Sequence, residues 1–291
     1  MIETLLAPLQ YAFILRGLFA AVMVGIVSAT VGTYVVLRGM AFFGDALAHA
    51  ILPGLAVGYL AGSGAREPLF WWALGTAVVT SVGIGAISRG AKVKEDTAIG
   101  IVFAGMFALG IALISTARNY SVDLAHFLFG DVLGVRAADL WLTGTFGALI
   151  LLIILAFYKE FLVLSFDPVL ATTLRIPARL LDFLLIILVA VTIVISLHTV
   201  GVALMVAMLV TPAAAAYLVT VRLPAMMALS ATFGALSGVI GLYLSYYINI
   251  ASGAAIVLTS TAIFALVWCY RSARRSMASR IQISPEAGIS G

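Results

Sequence analysis

Apolar residues in this chain come in long unbroken runs, not in the alternation of a half-buried strand or the one-sided stripe of a soluble helix. A run of about twenty residues is long enough to cross a hydrocarbon layer about 30 Å thick. Such runs cover about 11–37, 44–61, 69–88, 97–116, 139–158, 180–197, 199–221, 224–248 and 253–270. The pattern predicts an all-α fold, a polytopic transmembrane helical bundle of about nine spans. The last two boundaries are the weakest, and eight spans stands as the alternative. The first and eighth runs are longer than a span needs, which favours tilt or bending.

The polar interruptions set the topology. With the C-terminus inside, alternation puts twelve of the sixteen Lys and Arg in cytoplasmic segments: Arg38, Arg89, Lys92, Lys94, Lys159, Arg175, Arg179, Arg222, Arg271, Arg274, Arg275 and Arg280. Arg66, Arg118 and Arg136 fall outside, and Arg16 lies in the first run near its outer end. This asymmetry predicts an N-out, C-in orientation. No interior hydrophilic loop exceeds about twenty residues. Residues 1–278 therefore read as one transmembrane domain, and 279–291 as a polar cytoplasmic tail expected to be disordered.

Composition agrees. Hydrophobic residues make up 64% of 291 positions and charged residues 10%. The mean hydropathy is +1.20. Soluble domains are usually about a quarter charged. The pI near 9.3 reflects short loops and the tail, not a nucleic-acid surface. The single cysteine, Cys269, excludes a disulfide framework and a Cys-rich metal cage. Glu3 stands where a signal peptide carries basic residues, so no cleavable signal is expected. Gly54, Gly58 and Gly62 repeat every four positions, as do Gly234 and Gly238, a spacing that lets helix backbones approach closely.

Two residues within a predicted span are hard to explain as packing. Asp45 and His49 stand in Gly44-Asp45-Ala46-Leu47-Ala48-His49-Ala50-Ile51-Leu52-Pro53-Gly54. Positions four apart share one helix face. A carboxylate and an imidazole placed there can share a proton or hold a divalent metal, and ionisable groups within a membrane are costly. The other reading puts the pair at a membrane surface, with Asp45 as an N-terminal helix charge.

Two loops carry further candidates. The outer one holds Asp123, His126 and Asp131, in a pattern that fits a short amphipathic helix at the interface. Asp123 and His126 are close enough in sequence to meet, although such residues more often face water or cap a helix. The inner loop, Lys159 to Arg179, contains Asp167-Pro168 and then Ala171 and Arg175. Asp followed by Pro starts helices, so a short cytoplasmic helix is predicted here, either a connector or a lever for a soluble partner. His198, beside Thr199, reads as a solvated residue in the tight outer turn between spans six and seven.

Several chemistries are excluded. No Gly-x-x-x-x-Gly-Lys-Ser/Thr loop occurs; Gly85 to Gly90 is followed by Ala91. This chain is not expected to be an enzyme or to hydrolyse ATP by that route. No His-Glu-x-x-His or Gly-x-Ser-x-Gly motif is present.

The block around Asp45 and His49 resembles the signature of the ABC-type zinc/manganese/iron uptake permeases, the ABC-3 family. Four more blocks do so in the expected order: Asp96 to Ile101, Asp123 with Leu128 to Leu133, Val200 to Leu204 through Thr211-Pro212-Ala213, and Ser252-Gly253-Ala254. The resemblance covers nearly the whole chain. It implies two permease subunits, as a homodimer or paired paralogues, in a bacterial plasma (inner) membrane. It further implies a cytoplasmic ATP-binding subunit and an extracytoplasmic metal-binding protein. It assigns Asp45 and His49 to a metal site in the pathway and 165–176 to the ATPase contact. The sequence departs at Val169 and Arg175, where the family often has an acid and Gly.

Carboxylate and imidazole suit Mn²⁺, Fe²⁺ or Zn²⁺ and disfavour Cu⁺. No covalently bound cofactor is implied. The expected function is ATP-driven import of one of these ions. A proton- or ion-coupled secondary transporter using Asp45 and His49 as a relay is the alternative. The paired halves and broken helices of such transporters are not evident in the pattern.

Overall fold

A computed structural model describes residues 7–62, 66–116, 132–166 and 177–282. Among these, eleven α-helices follow one another without a strand. They are α1 (Ala12–Leu37), α2 (Ala41–Ala50), α3 (Leu52–Ala61), α4 (Arg66–Gly90), α5 (Glu95–Ser115), α6 (Ala137–Ala156), α7 (Tyr158–Phe166), α8 (Ala178–Val200), α9 (Val202–Val219), α10 (Leu223–Ile248) and α11 (Ser252–Gln282). Nine segments among the described residues are long and apolar enough to cross a membrane, with α2 and α3 together forming the second. Lipid offers no partners for backbone groups, so each span satisfies its own as a helix. The nine bounds fall within four residues of those read from hydropathy.

Local chemistry places several ends. Glu95 and Asp96 open α5, where negative charge suits the positive end of the helix dipole. The Asp139 carboxylate accepts the Arg136 backbone N–H at 3.0 Å and caps α6. Gly201 alone joins α8 to α9, at φ +84°, a conformation open to glycine and strained for other residues.

The long helix α1 packs against α10, α9, α8 and α6. Its approach to α10 runs through glycine: a Cβ on Gly25 would lie 2.7 Å from the Gly234 carbonyl oxygen. Gly238 faces Ala21 across the same contact. On α3, Gly58 abuts the Leu69 Cα, 3.1 Å from where a Cβ would stand. The four-residue glycine repeats are thus helix contacts, as their spacing predicts. The second span is the most enclosed, with 72% of its apolar window buried against 22% for α5 and for α6.

Three local differences from the sequence reading have physical causes. The second span is broken: α2 ends and α3 begins around Ile51. Pro53 has no N–H to donate to the His49 carbonyl, which interrupts the helical ladder. Gly110 of α5 packs at this break, its Cβ position only 3.1 Å from the Pro53 nitrogen. Residues 158–166, read as loop apart from the end of span five, form the helix α7. Finally, α11 runs on to Gln282, through the expected tail boundary at Ser279.

Candidate metal-pathway site

Most of α2 is buried: Phe43, Gly44, Ala46, Leu47, Ala48 and Ala50 all face the bundle. Ala41, Phe42, Asp45 and His49 do not, and the last three fall on one stripe of the helix. The side chain of Asp45 is 43% exposed and that of His49 33%. The polar pair is thus partly open at the surface of the bundle. Gly44 holds the opposite face down, since a Cβ there would lie 2.8 Å from the Leu209 side chain of α9.

His49 Nε2 lies 3.8 Å from Asp45 Oδ1. That is too long for a direct hydrogen bond. It is shorter than twice the ~2.1 Å bond that a divalent ion makes to such ligands. One ion can therefore touch both atoms with little movement. The imidazole is walled by α5, with ring centroids 6.3 Å from Phe103 and 5.9 Å from Phe107. Phe42 of α2 meets Phe103 edge-on at 6.2 Å. Among the described residues, no group of three or more His, Cys, Asp or Glu side chains stands close enough to hold an ion. Asp123, His126 and Asp131 lie outside the described residues, as do Asp167, Pro168, Ala171 and Arg175.

His198 corrects the sequence reading. It is not a solvated turn residue but part of the last turns of α8, with its side chain 12% exposed. Its Nε2 lies 3.3 Å from Asp139 Oδ1 at the start of α6. Its ring packs at 5.4 Å on Phe70 of α4. Asp139 is 59 positions away, so periodicity carried no signal of this pairing.

At the cytoplasmic end, Asp182 of α8 is bonded by Arg38, just past α1, and ion-paired with Arg89 of α4. Burial pushes the Arg38 guanidinium below its ordinary value, and Glu95 counters this. Arg89 also lies 4.3 Å over the Phe183 ring. These groups, with Arg179 and the end of α7, line a cavity of about 510 Å³. Sequence reading placed the arginines inside but did not single out Asp182, whose partners come from two other spans.

Nine apolar spans among the described residues define a multi-pass membrane protein of helical-bundle class. Residues 10–271 match the ABC 3 transport family. The chain belongs to that family, the membrane subunits of ABC-type metal uptake systems, and resides in the bacterial plasma membrane. It is 47% identical over 262 residues to "Manganese transport system membrane protein MntC" of Listeria innocua, covering 90% of this chain and 92% of the relative. It is 37% identical over 274 residues to "Probable iron transport system membrane protein" of Haemophilus influenzae, covering 94% and 99%. A chain in the solved structure "PsaBC from Streptococcus pneumoniae in complex with Fab" is 40% identical and superposes with a TM-score of 0.79, over 92% of this chain and 95% of that one.

Proposed function

We propose that this chain is the permease subunit of an ATP-driven importer that carries a divalent transition metal into the cytoplasm, with Asp45 and His49 as its transient ligands. The observation that carries the reading is the open stripe on α2. A carboxylate and an imidazole 3.8 Å apart are left partly uncovered on a mostly buried helix. Facing lipid, they would be costly. Facing a second subunit, they become half of a four-ligand site across a two-fold axis. Manganese is the favoured cargo, because relatives of up to 47% identity carry manganese transport in their names; iron and zinc suit the same ligands. A cytoplasmic ATP-binding subunit drives the cycle through the segment that follows α7, around Asp167, Pro168, Ala171 and Arg175. An extracytoplasmic binding protein supplies the ion, with Asp123, His126 and Asp131 as outer-loop contacts.

The test is uptake of Mn²⁺, Fe²⁺ and Zn²⁺ into vesicles holding the permease with its ATPase. Asp45→Ala and His49→Ala each abolish uptake while expression and assembly persist. Near-wild-type transport of every metal by both variants overturns the assignment.

The break at Ile51 is the one feature that favours a secondary transporter, since such proteins place discontinuous helices at their sites. Uptake that continues without ATP, driven by a proton gradient and insensitive to vanadate, would decide for it.

A further inference from the structure

From Phe183 to Pro285 the chain has no acidic residue, yet it carries Arg222, Arg271, Arg274, Arg275 and Arg280. The helices α9, α10 and α11 all lie in this stretch and pack on one another. At their cytoplasmic end they enclose a groove of about 360 Å³, lined by Tyr217, Val219, Thr220, Val221, Arg271 and Arg274. Arg271 and Arg274 sit one turn apart on α11, and the elements they face supply no carboxylate to neutralise them. Any counter-ion for them comes from outside these helices.

The depth and lining of the groove indicate what that counter-ion is. The apolar run of the last span ends at Tyr270, so both guanidiniums follow it at the point where hydrocarbon gives way to headgroups. Trp268 and Tyr270, 55% and 66% exposed, form an interfacial aromatic girdle just above them. Val221, 88% exposed, and Val219 give the groove an apolar wall. The Thr220 hydroxyl already accepts the Arg222 backbone N–H at 3.2 Å and keeps its own hydrogen to donate. A guanidinium binds phosphate oxygens through two parallel N–H bonds. The positive-inside rule explains why arginines are here. It does not explain two of them bordering a groove with a hydroxyl and an apolar wall.

We propose that this groove holds the phosphate headgroup of an anionic phospholipid from the cytoplasmic leaflet. Arg271 and Arg274 grip the phosphate, Thr220 donates to it, and Val219 and Val221 cover the start of an acyl chain. An ATPase surface is the less favoured occupant. The helix α7, which leads into the expected ATPase contact, packs on α6 and α8, and α11 packs on α9 and α10.

The experiment measures lipid binding to the purified full-length chain in a neutral detergent, by native mass spectrometry with phosphatidylglycerol, phosphatidylcholine and inorganic phosphate as probes. Phosphatidylglycerol binds in preference to phosphatidylcholine. Each arginine contributes roughly five-fold in affinity, so R271Q/R274Q weakens binding about twenty-five-fold. Thr220→Val keeps both charges and weakens binding by a few-fold, which keeps the question decidable if the double variant misfolds. Equal phosphatidylglycerol binding by wild type and R271Q/R274Q overturns the proposal, as does equal retention of the two lipids. Complete displacement by millimolar inorganic phosphate makes this a free-anion site instead. Loss of ATPase co-purification in R271Q/R274Q with unchanged lipid binding assigns the groove to the ATPase.

Discussion

His198 Nε2 stands 3.3 Å from Asp139 Oδ1, and the contact joins the outer ends of α8 and α6. One turn deeper along α6, the hydroxyls of Thr143 and Thr199 lie 2.8 Å apart and tie the same two helices. Polar links of this kind hold spans together where lipid supplies no hydrophobic drive between them. Asp139→Asn with His198→Gln, measured as a double-mutant cycle by thermal unfolding in detergent, should give a coupling of about 0.5–3 kcal/mol. A coupling near zero would mean that the pair adds nothing beyond the threonine contact.

Asp182 is the counter-ion for both Arg38 and Arg89, and its side chain is 15% exposed. Removing one partner of a buried ion pair leaves charge uncompensated, at a cost of about 3–5 kcal/mol. Asp182→Ala is therefore expected to unfold at a clearly lower temperature than wild type. Adding Arg38→Leu should recover part of the loss, because it removes one of the stranded charges. Failure of the second change to recover any stability would show that Asp182 acts through packing instead.

The α1–α10 contact tolerates no side chain at its centre. Gly25→Leu drives heavy atoms into the Gly234 backbone, where even a Cβ would lie 2.7 Å from the carbonyl oxygen. This variant is expected to lose the folded monodisperse species in size-exclusion chromatography. Gly75→Ala has open space around the added methyl and should elute as wild type. If both elute alike, close approach at Gly25 is not what sets this packing.

In the proposed function, Asp45 and His49 supply only two ligands, so the site is expected to be shared by two subunits, because a desolvated divalent ion usually takes at least four ligands. A tandem-linked dimer with His49→Ala in one half should lose nearly all metal uptake. Retention of about half the wild-type rate with unchanged metal affinity would mean that each protomer has its own complete pathway.

The segment after α7 is expected to contact the ATPase from the cytoplasmic side. Single cysteines placed from Asp167 to Ile176 should cross-link to the ATP-binding subunit. Labelling of these positions from outside sealed cells would place the segment on the wrong face.

Hydropathy alone placed the spans, leaving eight as an alternative to the nine that the structure has among its described residues, because a span must be apolar along its whole length and must be helical to satisfy its own backbone. The arginine asymmetry predicts their orientation by the same route, since it reports on translocation and not on packing. Helical spacing put Asp45 and His49 on one face, which is a local property of about one turn. It did not reveal which way that face points, since these helices are apolar nearly all round and their pattern does not separate a face against protein from a face against lipid. Only the tertiary structure decided that α2 is buried except at its first two residues, Ala41 and Phe42, and at Asp45 and His49. Only it turned His198 from an expected turn residue into the partner of Asp139, and made Asp182 the meeting point of two other spans. Those pairings join residues 59 or more positions apart, and which polar groups meet inside a membrane bundle is settled by how the helices pack.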